Sequence, residues 1–346
     1  MHRLYENKPF IYLEKRRVIY LSNEGGAYLP RIVYSGDVHG SEYVWLKFLK
    51  AAVEHKADII FMNGDLTGKK IIPIAKMSDG TWKTPQIFGR TWVLKTEEEV
   101  KEMEKRIRYA GMYPWVAPYE EIMKYARDRK KWESLFEDIV AREMERWLQL
   151  AEEKVPKNVM IIVAPGNDDY FVIDEIIKQH EDRIIYPNDK VVWLDDKHPM
   201  ITCEWVNPTP WESPREEPED KLEKRLLAKF KMVEEEKYPD LVCAFHAPPY
   251  DSGIDLAPKL DKNLRPVLVG GHPVMVPVGS KAVRKVIERF QPLLGLHSHI
   301  HESPGEVYIG RTLCINPGSE YDRGILRMYV FDLTPEGIGK YWRMTG

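Results

Sequence analysis

The chain is poor in cysteine and has no long apolar run, and each shortage excludes a class of protein. Three cysteines among 346 residues, Cys203, Cys243 and Cys314, stand far apart with no CxxC spacing. They fit reduced core residues and a cytoplasmic setting better than a disulfide framework or a thiolate zinc site. No stretch approaches the roughly 18–20 apolar residues that span a bilayer, so no membrane contact is expected. The opening segment MHRLYENKPFIYLEKRR scatters its charges and has no apolar signal core, so no secretion signal is expected. An excess of one charge is also missing. The formal net charge is −3, which gives no overall basic field for nucleic acid. Glutamine is scarce beside abundant Lys and Glu, a tilt seen in thermophile proteins. What is present is core material: 43% hydrophobic and 30% charged residues, enough for a sizeable interior and a solvated surface.

Short runs rich in Val, Ile, Leu and aromatics recur at wide intervals and read as strands: Arg31–Ser35, Asp58–Met62, Asn158–Ala164, Asp240–Phe245 and Leu293–His297. Helical patterns at Ser41–His55, Ile173–Gln179, Asp220–Glu236 and Ser280–Phe290 lie between several of them. This alternation predicts an α/β layered domain. Glu306–Ile315 and Gly324–Leu333 read as β, and Phe10–Leu13 with Arg17–Leu21 as an added hairpin. Residues 66–156 break the rhythm. They show no clear buried strand and are expected as a helical insertion, with amphipathic candidates at Lys95–Tyr109 and Pro118–Lys154. Trp132, Phe136, Ile139, Val140 and Trp147 fall on one helix face, which predicts packing onto the main body. The stretch Met112–Pro118, with its aromatics and prolines, reads as an ordered loop at the tip of a cap over a site.

The chemistry lies at the strand ends. The first run leads into Gly36-Asp37-Val38-His39-Gly40, the second into Asn63-Gly64-Asp65, and the third into Pro165-Gly166-Asn167-Asp168-Asp169. The fourth leads into His246-Ala247-Pro248-Pro249 and the fifth into His297-Ser298-His299-Ile300-His301. Ligands of α/β sheets gather at the carboxyl ends of strands, so these groups are expected on one edge. Mixed Asp, His and Asn donors suit a borderline divalent ion rather than an all-oxygen calcium cage. They are too many for one tetrahedral site and suit two ions about 3.5–4 Å apart sharing a carboxylate, an arrangement that clamps a phosphoryl group.

In order, these motifs resemble the calcineurin-like metallophosphoesterases, whose pattern runs D-x-H, GD, GNH with a following acid, H, and GHxH. The matching residues are Asp37 and His39; Gly64-Asp65; Gly166-Asn167; His246; and His299 with His301. The resemblance spans Ile32 to Ser319 and also takes in Gly279–Arg284 and Asn316-Pro317-Gly318-Ser319, which look like a bacterial and archaeal subgroup. It implies a single domain over residues 1–346, built as a layered α/β sandwich of two central β-sheets flanked by helices. It further implies that Asp37, His39, Asp65 and His301 hold one ion, and Asp65, Asn167, His246 and His299 the other. Manganese is expected first, with Fe, Zn, Ni or Co as alternatives.

Two departures stand out. Ser298 replaces the glycine of GHxH, and His297 leaves open a shifted register in which His297 and His299 are the ligands. Asp168 stands where the family carries its catalytic histidine. An aspartate beside two cations is expected to stay ionised and to be a poor general acid.

The function expected is hydrolysis of a phosphate ester, a small phosphodiester or nucleotide, by attack of a metal-bridging hydroxide on phosphorus, with Asn167 and Asp168 as candidate catalytic residues. One alternative is a nuclease acting on single-stranded nucleic acid through Trp82, Lys83, Arg90, Trp92 and Lys95. Near-neutral charge weighs against it. Another is a catalytically weak scaffold that binds protein partners. No P-loop is present, so P-loop triphosphate cleavage is not supported.

Overall fold

Residues 29–346 are described by the structure, a computed structural model. The hairpin expected at Phe10–Leu13 and Arg17–Leu21 lies outside the described residues.

Strands Arg31–Ser35, Ile59–Asn63 and Met160–Ala164 are aliphatic and aromatic runs buried almost throughout. That is the composition of parallel strands covered on both faces. They pair in parallel at the centre of a six-stranded sheet. Antiparallel strands Arg327–Thr334 and Gly337–Thr345 continue it on one side, and Ile184–Ile185 closes the other. A second six-stranded sheet has Pro199–Cys203, Val242–Phe245, Leu294–Leu296 and Thr312–Asn316 in parallel, with Val192–Trp193 and Gly305–Ile309 antiparallel at its edges.

Strand alternation then builds the layers. Ile32, Tyr34, Phe61 and Ile162 of the first sheet meet Val242, Ala244, Leu294 and Leu313 of the second in one core. The other face of the first sheet, with Val33, Ile60 and Val163, is covered by helices Glu42–Glu54, Arg129–Lys154 and Val172–Gln179. The outer face of the second sheet carries all three cysteines, free and buried under helices Glu219–Phe230 and Lys281–Phe290. The architecture is therefore a layered α/β sandwich: helices, sheet, sheet, helices. Each fully buried Leu, Ile or Phe contributes about 1.5–3 kcal/mol, so the three cores account for most of the driving force. No described helix is long and apolar enough to cross a membrane.

The segment 66–156 differs from its expectation. It contains helices Glu97–Tyr109, Tyr119–Ala126 and Arg129–Lys154, but also a four-stranded sheet. Strand Ile71–Lys76 pairs with Tyr113–Pro118 in parallel and with Trp82–Lys83 in antiparallel fashion. Most of the expected tip loop is thus an edge strand. Pro114 and Pro118 disguise it, and an edge tolerates them because one side of the strand makes no ladder bonds. The aromatic stripe packs inward as expected. Ile139, Val140 and Trp147 are buried, and Trp147 stacks on Trp45 with centroids 5.1 Å apart and planes 9° from parallel. The helix expected over Asp220–Glu236 ends at Phe230, where the ring stacks on Phe290 at 4.3 Å and anchors the chain before it turns into the next strand.

Candidate metal centre

The loops after the parallel strands are knitted together by main-chain hydrogen bonds. Asp37 N–H donates to Gly64 O (3.0 Å), His39 N–H to Asp65 O (2.8 Å), Gly64 N–H to Ala164 O (3.0 Å) and Ser298 N–H to His246 O (3.0 Å). The tight approach requires glycine. A Cβ on Gly64, whose φ is +90°, would lie 2.5 Å from His246 Nδ1, and one on Gly166 would collide with the Asp65 main chain and carboxylate. Of the described non-glycine residues at positive φ, four lie in these loops: Asp37 (56°), His39 (39°), Asp65 (49°) and His299 (69°). Such conformations are costly for residues other than glycine and cluster at functional sites.

The loops bring two groups of donors together. Asp37, His39 and His301 form one, and Asp65, His246 and His299 the other, with ligand atoms in each within 4.8 Å of one another; a third set at the same spacing, His39, Asp65 and Asp168, spans the two. Asp65 lies between the groups. Its Oδ2 is 3.6 Å from His39 Nε2 and its Oδ1 3.3 Å from His246 Nε2. Besides His39 Nδ1, which faces Asp168, three buried atoms here, Asp37 Oδ1, Asn167 Oδ1 and His246 Nε2, have no hydrogen-bond partner. Buried polar atoms without partners are rare and costly; a cation would satisfy the two oxygens directly, and His246 Nε2 on displacing its proton.

The opposite atoms of these groups are held. His299 N–H donates to Asp37 Oδ2 (2.8 Å). His246 Nδ1 lies 2.8 Å from Ser298 Oγ and 3.1 Å from Asn63 O, while the Ser298 hydroxyl donates to Asn63 O (2.7 Å). Ser298, the replacement for the motif glycine, therefore fixes the ring whose Nε2 faces the centre. Orientation of a ligating histidine through its other nitrogen is the usual arrangement at metal sites.

Burial pushes His39, His299 and His301 down, His299 to about 3, which keeps their nitrogens neutral as metal ligation requires. Burial acts the same way on His246, but the charges of Asp65 and Asp37 outweigh it and lift that ring to about 9. The carboxylates separate. Burial drives Asp37 well above the usual range, whereas for Asp65 burial is overcome by the facing charge of His246, which holds it well below.

Asp168 stands at the opening. Its N–H donates to Asp65 Oδ1 (2.9 Å), and its Oδ2 lies 3.8 Å from His39 Nδ1 and ion-pairs with Lys69. Burial first, and the Asp65 charge second, raise its carboxyl to about 6 against the opposing pull of Lys69. Lys69 was not singled out in the sequence, because a lysine after Gly-Asp-Leu-Thr-Gly resembles any solvated charge. Tyr321, equally unremarkable, sets its ring 4.7 Å from that of His39 and 5.8 Å from that of His301. Asp169 ties two loops, accepting from Leu66 N–H (3.1 Å), Thr67 N–H (2.9 Å) and Gly166 N–H (2.8 Å).

His297 lies apart from both groups. Its Nδ1 is 2.9 Å from Phe245 O and 3.0 Å from Ala247 O, an arrangement that makes this nitrogen the protonated one. A Cβ on Gly295 would meet His297 Nε2 at 2.6 Å and Cys314 Sγ at 3.0 Å, which places that nitrogen in the core beneath the site. His301, not His297, accompanies Asp37 and His39.

The insertion reaches this edge. The Tyr113 hydroxyl accepts from Gly68 N–H (2.7 Å), and Phe136 lies between Tyr113 (6.1 Å) and Tyr170 (5.3 Å). Two of its half-buried aromatics carry a guanidinium on one face. Arg90 covers Trp92 at 3.7 Å, and Arg106 covers Phe88 at 4.2 Å.

No family model and no curated protein matches the chain. A solved crystal structure superposes with a TM-score of 0.55 at 16% identity, over 91% of this chain and 99% of that one. Its likeness extends to the fold alone. The crystal structure of TT1561 of Thermus thermophilus gives a TM-score of 0.47 at 15% identity, over 92% of this chain and 99% of that one. A protein described as a novel archaeal phosphodiesterase gives 0.35 at 11%, over 91% and 99%. The chain thus has a layered α/β fold with a solved counterpart, and buried Asp and His groups that could hold metal ions at its strand ends.

Proposed function

We propose that the protein is a metal-dependent phosphoesterase acting on a small phosphodiester or nucleotide. The observation that carries this reading is the pair of neighbouring donor groups, Asp37, His39 and His301 beside Asp65, His246 and His299, with Asp37 Oδ1, His246 Nε2 and the nearby Asn167 Oδ1 buried and unpartnered. Asp37, His39, His301 and Asp65 would hold one divalent ion, and Asp65, Asn167, His246 and His299 the other. Bound there, two such ions would supply the Lewis acidity and the activated nucleophile that phosphate-ester hydrolysis needs.

The remaining work falls to the chain. Lys69 is half-exposed at the opening and places a positive charge where a phosphoryl oxygen arrives. Asp168 holds that ammonium in place. Tyr321 walls the histidine side, its ring set against those of His39 and His301. A small ester is favoured over a nucleic acid strand because Arg90 and Arg106 already occupy the faces on which bases would stack.

The test is hydrolysis of bis(p-nitrophenyl) phosphate by chelator-treated protein before and after addition of Mn. Loss with chelator and recovery with Mn supports the reading. Equal activity in both states, or none in either across monoesters, cyclic and linear diesters and single-stranded DNA, overturns it.

A further inference from the structure

We infer that Ser213 and Glu216 are positioning residues that fix which atom of the Asn167 amide faces the metal centre. The inference rests on the metal-site reading above and adds residues that no motif contains. Asn167 is 2% exposed, and its Nδ2 lies 2.7 Å from Ser213 Oγ. The Ser213 hydroxyl in turn donates to Glu216 Oε1 at 2.6 Å. Glu216 also accepts from Ser213 N–H (2.8 Å), Thr209 Oγ1 (2.6 Å) and Thr209 N–H (2.8 Å).

Donor counting leaves one orientation. An ionised carboxylate can only accept, and a serine hydroxyl has one proton to give. With that proton committed to Glu216, Ser213 Oγ presents lone pairs to Asn167, so the amide must present its NH2 group. The carbonyl Oδ1 is thereby turned the other way, where it is buried with no partner in the protein. The flipped amide would set two oxygens against each other and aim N–H groups at the centre. Glu216 is kept ionised for this role. Burial pushes its carboxyl up, but the hydrogen bonds from Ser213 and Thr209 outweigh that and hold it below the usual range.

The strap cannot drift from its target. Arg215, between the two residues, donates N–H to Asn167 O (3.2 Å) and Nε–H to Asp169 O (3.1 Å). Its guanidinium is 1% exposed and binds Asp174 through both terminal nitrogens, at 3.1 and 2.7 Å. The loop that carries Ser213 and Glu216 is thus locked to the loop that carries Asn167.

Partners that orient a ligand typically cost about 10–100-fold in metal affinity when removed. The experiment titrates Mn2+ alone into wild type, Asn167→Ala, Ser213→Ala, Ser213→Thr and Glu216→Gln, reading stoichiometry and affinity by calorimetry, with thermal unfolding beside it. Asn167→Ala identifies the ion that this side chain serves. Ser213→Ala is expected to weaken that same ion about 10–100-fold and leave the other unchanged, while Ser213→Thr, which keeps the hydroxyl, restores it. Glu216→Gln releases the serine proton and is expected to weaken the same ion. It carries the test if Ser213→Ala fails to fold. Wild type with two ions and Ser213→Ala or Glu216→Gln with unchanged affinities overturns the positioning role alone. Wild type that binds no Mn2+ overturns the metal-site reading and this inference with it.

Discussion

His39 Nε2 and His301 Nε2 lie 3.1 Å apart although 262 residues separate them in the chain. Burial lowers the pKa of both rings, so two nitrogens held neutral converge on one point. Metal–nitrogen bonds of about 2.0–2.1 Å put two imidazole ligands of one ion at about this separation. Asp37 completes that group, and Asp65 stands between it and the next.

The shared position of Asp65 makes it the most consequential single residue. Asp65→Asn removes a negative charge that faces His39 and His246 together, and it should weaken both ions and abolish most hydrolysis. Metal content after dialysis is the measurement. A variant that retains two ions and full activity would remove Asp65 from the centre.

His301 and His297 should part company on mutation. His301→Ala is expected to lose an ion with little change in folding, since the ring stands at the opening. His297→Ala leaves the Phe245 and Ala247 carbonyls without a buried donor and should cost about 1–3 kcal/mol of stability while both ions still bind. If His297→Ala were instead the variant that lost metal, the shifted register would be the right one.

Much of this site is legible in the sequence because ligand types recur at strand ends in a fixed order, and strand ends are marked by glycine and asparagine. Asp37, Asp65 and His246 each follow a buried β run whose termination is plain. What is hidden depends on distance in the fold. Lys69 gains meaning only from Asp168, and Ser213 only from Asn167, 46 residues away. The strand Tyr113–Pro118 is hidden for another reason: its prolines are those of a loop, and only its place at a sheet edge makes them tolerable.

Tyr113→Phe tests the link between the insertion and the metal loops. It leaves Gly68 N–H without its acceptor in a buried setting, at a cost of about 1–3 kcal/mol. Chemical denaturation should show that loss. A stability within error of wild type would mean that water replaces the hydroxyl and that the contact does not brace the loop.

Asp168 offers a test of chemistry rather than binding. Without a histidine to protonate the leaving oxygen, esters with poor leaving groups should be disproportionately slow, since general acid help is typically worth about 10²–10⁴-fold. Asp168→His should speed those esters selectively, at some expense to the Lys69 ion pair. A plot of log rate against leaving-group pKa, at equal metal occupancy, should be shallower for the variant. Coincident slopes would show that position 168 has no general-acid role to fill.

His180 provides a pH dependence far from the metal loops. Its Nδ1 is 2.7 Å from Glu152 Oε1 and its Nε2 3.0 Å from Glu145 Oε2, so the ring bridges helix Arg129–Lys154 to the end of helix Val172–Gln179. Burial opposes the charged ring, but the hydrogen bonds and charges of Glu145 and Glu152 outweigh it and raise the pKa above its ordinary 6.5. The nearby Arg183 guanidinium is engaged with the carbonyls of Val155, Pro156 and Val159. A group whose folded pKa lies above its unfolded value stabilises fully below the unfolded one, and that contribution fades as pH rises through the folded one. Stability should therefore be complete in this respect below about pH 6.5 and decline above it as the imidazolium loses its proton. His180→Gln keeps hydrogen-bonding capacity but cannot titrate. Melting temperatures of wild type and variant, measured from pH 6 to 9, should differ most at the acid end and converge at the alkaline end. Parallel curves would mean that the bridge contributes no more charged than neutral.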